Sequence, residues 1–227
     1  MAKTTTKLEA LPGHESMQVR LVGLAPGLMM DSGDRADPLD VLARLVDGLR
    51  KGTPTNKRTY KYHENLAKAG FIAALWTSEI PEVLQDGNDE VKGVAGDAIL
   101  VVPGNAAMSM MATALGRQRR GGLGDAKLAL LFEQYYPVMI DGKLMTAKEA
   151  YEDYDEFARR VRIRTKRGEW VTATRPLFRR WSCEIKFDYQ NRLFDRDKVV
   201  KALHYAGEYL GLGTSRARGF GRFEVEF

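Results

Sequence analysis

The 227-residue chain predicts an α+β fold, on three observations. Met17–Leu21, Val161–Thr165, Trp181–Tyr189 and Phe223–Phe227 alternate apolar and polar residues with the period of a half-buried strand. Leu39, Leu42, Leu45, Val46 and Leu49 recur with helical period, as do Val199, Leu203, Ala206 and Leu210. A chain of this length that is 44% hydrophobic buries one substantial core with insertions, or two small ones.

Residues 1–16 are polar and read as a mobile arm, so the domain is taken as 17–227. Met17, Val19 and Leu21 make the first strand, and Gly23 to Met30 turns the chain. Asp31, Asp34 and Asp37 follow. Their spacing lacks the further positions and terminal Glu of an EF-hand, which leaves loop solvation and capping, chemistry, or metal binding of another kind. Asp37-Pro38 opens a helix. Lys51 to Tyr62 reads as a loop in which Lys57, Arg58 and Lys61 meet phosphates and Tyr60 and Tyr62 stack on bases. The alternative is a solvated loop whose tyrosines pack back on the core.

Phe71–Trp76 is a strand or a buried helix end, and Glu79 to Gly96 an acidic, turn-rich loop facing away from any nucleic acid. Ala98 to Val102 is a strand. Gly104 to Leu115 is a helix whose Met108, Met110 and Met111 fill the core. Arg117, Arg119 and Arg120 then run into Gly121-Gly122-Leu123-Gly124, either a backbone contact or plain C-capping. Residues 127–140 hold a second core strand, Asp141-Gly142 a turn, and Ala147 to Arg160 a helix.

Arg162, Arg164 and Lys166 alternate with Val161, Ile163 and Thr165, and the chain turns back at Arg167-Gly168. This is a β-hairpin with a cationic face and Trp170 just past its tip: charges to follow a phosphate backbone and a ring to take a base. An edge strand guarded against aggregation has the same pattern. Trp181 to Tyr189 is the clearest strand, and Asp195 caps a helix to Leu210. Gly211, Gly213, Gly219 and Gly221 are interleaved with Arg216, Arg218 and Arg222 before the last strand. Glycine permits close approach and arginine matches phosphate oxygens, so this loop is the first candidate for a phosphodiester backbone. The element order, β-α-β twice, is ferredoxin-like, with insertions at about 27–97 and 141–178.

Net charge is +5, but basic residues heavily outnumber acidic ones from Arg159 to Arg192, which suits a polyanionic partner. A single cysteine, Cys183, excludes an intramolecular disulfide and any multi-thiolate zinc site. No apolar run reaches membrane-spanning length and no signal-peptide core is present, so a cytoplasmic protein is expected. His14, His63 and His204 have no partner at recognisable spacing, and no GxxxxGK[ST] loop is present. Neither an enzyme nor a cofactor is expected.

Gly211-Leu-Gly-Thr-Ser-Arg-Ala-Arg-Gly-Phe-Gly-Arg-Phe223, between helix and strand, resembles the C-terminal glycine-rich loop of the RAMP superfamily, the RNA-binding proteins of CRISPR effector complexes. Leu100-Val-Val-Pro-Gly-Asn105 is similar to the segment that opens their first core helix. The order Thr174-Arg-Pro-Leu-Phe-Arg-Arg-Trp181, strand, helix, Gly-Arg loop is similar to small phage and prophage proteins. The resemblance implies an RRM-like core, a thumb-like hairpin between the second and third core strands, and single-stranded DNA or RNA as partner. It also implies a homo-oligomer or filament along that strand. In some backbone subunits an aspartate after the first strand cuts RNA, and Asp31 and Asp34 fall in that region. A structural protein that binds an acidic partner is the remaining alternative.

Overall fold

The computed structural model describes residues 13–31, 41–52, 58–86, 90–118, 127–164, 168 and 170–227. Its strands are β1 His14–Gly23, β2 Leu28–Met29, β3 Glu82–Gln85, β4 Val91–Ala95, β5 Val101–Pro103, β6 Leu130–Phe132, β7 Tyr135–Ile140, β8 Lys143–Leu144, β9 Ala158–Arg164, β10 Trp170–Phe178, β11 Trp181–Gln190 and β12 Phe223–Glu226. Its helices are α1 Val41–Gly52, α2 Tyr60–Ala74, α3 Gly104–Gln118, α4 Ala147–Glu152, α5 Tyr154–Phe157 and α6 Arg196–Tyr205. The chain is thus a mixed α+β protein with antiparallel sheets, as the two periodicities predict.

The main sheet has the order β12-β1-β11-β7-β5, with β6 also on β11 and β8 on β7. Alternation places Met17, Val19 and Leu21 of β1 and Cys183, Ile185 and Phe187 of β11 on one face, all buried. The buried stripes of α3 (Ala107, Met110, Met111, Ala114) and α6 (Val199, Ala202, Leu203) belong to the same core, with α3 and α6 side by side. Met110 and Met111 fill this core as expected, and Met108 packs at its margin. Asp195 caps α6 by accepting from the Lys198 amide at 2.9 Å. The break between β6 and β7 is held by the Tyr136 hydroxyl. It accepts from the Glu133 amide at 2.8 Å and donates to the Lys186 carbonyl.

A second sheet, β2-β10-β9, lies against the C-terminal half of α2, and β3-β4 forms a separate hairpin. Phe71 of α2 meets Tyr154, and Phe157 meets Phe178 of β10. No helix among the described residues is long and apolar enough to cross a membrane.

The structure corrects several sequence expectations. β1 begins at His14, inside the segment read as an arm, because Glu15 accepts from the Tyr189 hydroxyl at 2.6 Å and the register with β11 continues to Gln190. Lys51 to Tyr62 is not one loop. α1 runs to Gly52, and Thr59 caps α2 by accepting from the Tyr62 amide. Of the two readings of Phe71–Trp76, the buried helix end is the one found, since α2 runs to Ala74. The acidic stretch 79–96 contains β3 and β4, since Val91 and Val94 are buried and Lys92 neutralises Asp86 and Glu90. The helix expected to reach Arg160 stops at Phe157, where the alternation of Arg160 and Arg162 with Val161 and Ile163 takes over. The last turn before Leu210 is a π turn, closed by the Gly211 amide on the Ala206 carbonyl at 2.7 Å.

Candidate nucleic-acid interface

The segment 211–222 folds back on itself and then onto β2. The Leu212 amide donates to Gly221, the Gly221 amide to Gly27, and the Thr214 amide to Met29, all at 2.8–2.9 Å. These approaches need glycine. Gly213 has φ +77° and a Cβ there would lie 2.3 Å from the Met29 carbonyl oxygen; at Gly221, φ +74°, it would lie 1.7 Å from that of Leu212. Gly219 and Ser215, both left-handed, bracket a single 3-10 turn, Arg216–Arg218. Arg216 and Arg218 are exposed on that turn. Arg222 differs. It is half-buried, and its Nη1 is shut from solvent without a hydrogen-bond partner among the described residues.

β2 in turn pairs with the end of the basic hairpin: Met29 with Leu177, and Leu28 with Phe178. The Met30 amide donates to Pro176 at 3.2 Å. Arg175, 8% exposed, completes the junction. Its Nη2 lies 2.9 Å from Asp31 Oδ2 and its Nη1 donates to Thr214 Oγ1 at 2.6 Å. Two basic segments far apart in sequence, the hairpin and the Gly-Arg loop, are therefore joined at one place.

In the hairpin, Arg160 pairs with Thr174, Arg162 with Thr172 and Arg164 with Trp170. Arg160 and Arg162 are exposed, while Val161 and Ile163, on the other face, are half-buried. Arg160 was not among the sequence candidates because the expected helix absorbed it. Arg175 and Thr214 were missed too, since nothing in the sequence marks an arginine before a proline as buried. Lys166, like Lys57, Arg119, Arg120 and Asp34, lies outside the described residues. Arg117 is in the last turn of α3.

The tyrosine segment sits elsewhere. Tyr60 opens α2 and is 77% exposed, while Gly70, ten residues on, is where the helix meets Thr174 of β10. That separates Tyr60 from the hairpin contact by about 15 Å along the helix axis. The Arg58 guanidinium lies 5.5 Å from the Tyr62 ring centre. Lys61, expected at a phosphate, pairs with Glu90 at 2.9 Å. The Lys61 and Lys92 ammonium groups hold the Glu90 carboxyl below its ordinary range.

Asp31, a candidate for RNA cleavage, is committed to Arg175, and its carbonyl accepts from Trp76 Nε1 at 2.9 Å. Among the described residues no three His, Cys, Asp or Glu side chains gather in a way that could hold a metal ion. Burial pushes the Cys183 thiol up to about 12.

The face of the main sheet away from the helices carries exposed charges of both signs. Glu184, Glu224 and Glu226 lie there with Arg20 and Lys186, and Arg20 is 3.6 Å from Glu226. No Phe, Tyr or Trp lies on this face of β1, β11 or β12. Compared with known proteins, the chain matches no family model and no curated sequence.

Proposed function

We propose that the chain binds single-stranded nucleic acid, holding the phosphate backbone largely without reading sequence. The observation that carries this reading is the junction of the Gly-Arg loop with the basic hairpin through Met29, Thr214 and Arg175. Arg216 and Arg218 take phosphates at the loop. Arg160 and Arg162 extend the track along the hairpin, and in the sequence reading Arg164 and Lys166 would continue it and Trp170 would stack on a base. Arg222 offers the loop only what its half-buried guanidinium leaves accessible. Tyr60, on its separate helix end, is a second stacking surface.

The core supports a RAMP-type assignment. The order β12-β1-β11-β7, with α3 (entered from β5) and α6 side by side in the core, is compatible with the 4-1-3-2 order of a ferredoxin-like fold and supports that reading. Unlike an RRM, the chain has no aromatic platform on the centre of its sheet, so the grip is moved to the inserted hairpin and the loop. Coating of the strand by successive copies, as in RAMP backbones, is part of this proposal. Phosphate donors and stacking faces serve DNA and RNA alike.

The test is binding to labelled single-stranded DNA, single-stranded RNA and duplex of matched length at two salt concentrations, with each strand checked for integrity. Salt-sensitive preference for an intact single strand supports the proposal, and the preferred sugar separates a strand-coating role in replication or recombination from a CRISPR-like one. Cut RNA that is spared by Asp31→Ala would replace it with the nuclease alternative. Equal binding to duplex, or none, would leave the acidic-protein-partner alternative.

A further inference from the structure

A buried arginine paired with a carboxylate is a costly way to fill space compared with an apolar side chain of similar volume. Arg175 is such a residue, and both terminal nitrogens of its guanidinium are used. One holds Asp31, at the end of the β2 segment; the other holds Thr214, inside the Gly-Arg loop; and the side chain itself grows from β10 of the hairpin. The backbone follows the same route. The Thr214 amide donates to Met29, which pairs with Leu177, and the Met30 amide donates to Pro176. Movement of the loop away from β2 breaks the Thr214 bonds and uncovers the guanidinium, so this contact is one of those that fix the loop relative to the hairpin.

Resting on the nucleic-acid reading, we propose that Arg175 is a positioning residue that makes the loop and the hairpin one binding surface. It touches no phosphate. It ensures that a strand held at Arg216 and Arg218 also meets Arg160 and Arg162, so that occupancy of one element preorganises the other.

The experiment uses the full chain with Thr214→Val, which removes the acceptor at nearly constant volume, and Thr214→Ser, which keeps it. Affinity for a 20-nucleotide single strand is measured across a salt series. It is measured alone and combined with Arg216→Ala/Arg218→Ala and with Arg160→Ala/Arg162→Ala. Thr214→Val is expected to weaken binding about fivefold, with an unchanged salt slope because no phosphate contact is lost, and Thr214→Ser to restore it. The loop and hairpin substitutions are expected to be non-additive in the parent chain and additive in Thr214→Val. In the same variants, amide exchange of 212–219 and of 170–178 is followed without nucleic acid. A positioning role for Arg175 requires Thr214→Val to accelerate exchange in both segments and Thr214→Ser in neither. Acceleration confined to 212–219, or additivity already present in the parent chain, overturns it. If the parent chain binds no strand, the function falls and the exchange pattern alone still decides whether Arg175 joins the loop to the hairpin.

Discussion

Arg216 and Arg218 offer the most quantitative test of the interface. Both are exposed on a single 3-10 turn and neither enters an ion pair among the described residues, so replacing both with alanine removes charge without disturbing the fold. Each phosphate contact contributes about 0.7 to the slope of log affinity against log salt for a single strand. Loss of two such contacts lowers the slope by about 1.4. Between 50 and 200 mM salt, a fourfold change, the advantage of the parent chain over the variant therefore shrinks about sevenfold. Fluorescence anisotropy of a labelled 20-nucleotide strand at three or four salt concentrations gives the slope for both proteins. A variant that loses affinity by the same factor at every salt concentration would show that the arginines act by shape, not by charge. Unchanged affinity would remove the loop from the interface.

Gly213→Ala places a methyl group 2.3 Å from the Met29 carbonyl at a positive φ. It should destabilise the chain by about 2 kcal/mol or more, seen as a lower melting temperature together with weaker strand binding. The Glu90 carboxyl is held low by Lys61 and Lys92, so its pairing stabilises the fold above the ordinary carboxylate range and is lost as pH falls through the lowered value. Melting temperatures of Glu90→Gln and the parent chain should accordingly differ at pH 7 and converge only once the pH has fallen below that lowered value; a constant difference would mean the charge is irrelevant. Cys183 is 1% exposed and its thiol is pushed up to about 12, so alkylation at pH 8 should track global unfolding in denaturant. Fast labelling of the native chain would contradict the burial of β11.

Local chemistry was legible wherever one face of an element meets the core. β1, β11 and β12 follow from alternation, the core helices α3 and α6 from their apolar period, and the α6 cap from Asp195. The cationic hairpin followed from the same rule, since a strand there must put Arg162 on the face opposite Val161 and Ile163, while Arg160 was lost to the expected helix. The helix start at Thr59 was less visible, because a capping threonine amid lysines and tyrosines also suits a loop. The β3-β4 hairpin was hidden by its carboxylates, whose charge is balanced by Lys61 and Lys92 rather than by solvent alone.

By itself, then, the sequence determined the mixed α+β class, the core helices and central strands, and the presence of two basic segments, because side-chain periodicity and glycine–arginine composition are local properties. Only the tertiary structure decided that these segments adjoin. It also decided that Asp31 is an anchor for Arg175, that Arg222 is partly withdrawn, and that Tyr60 stands apart on the far end of α2. Each of these depends on contacts between residues that are distant in the chain, such as Thr214 with Arg175 and Met29 with Leu177. No local pattern encodes such a pairing; it is set by which surfaces remain to be covered once the main sheet has buried its helices.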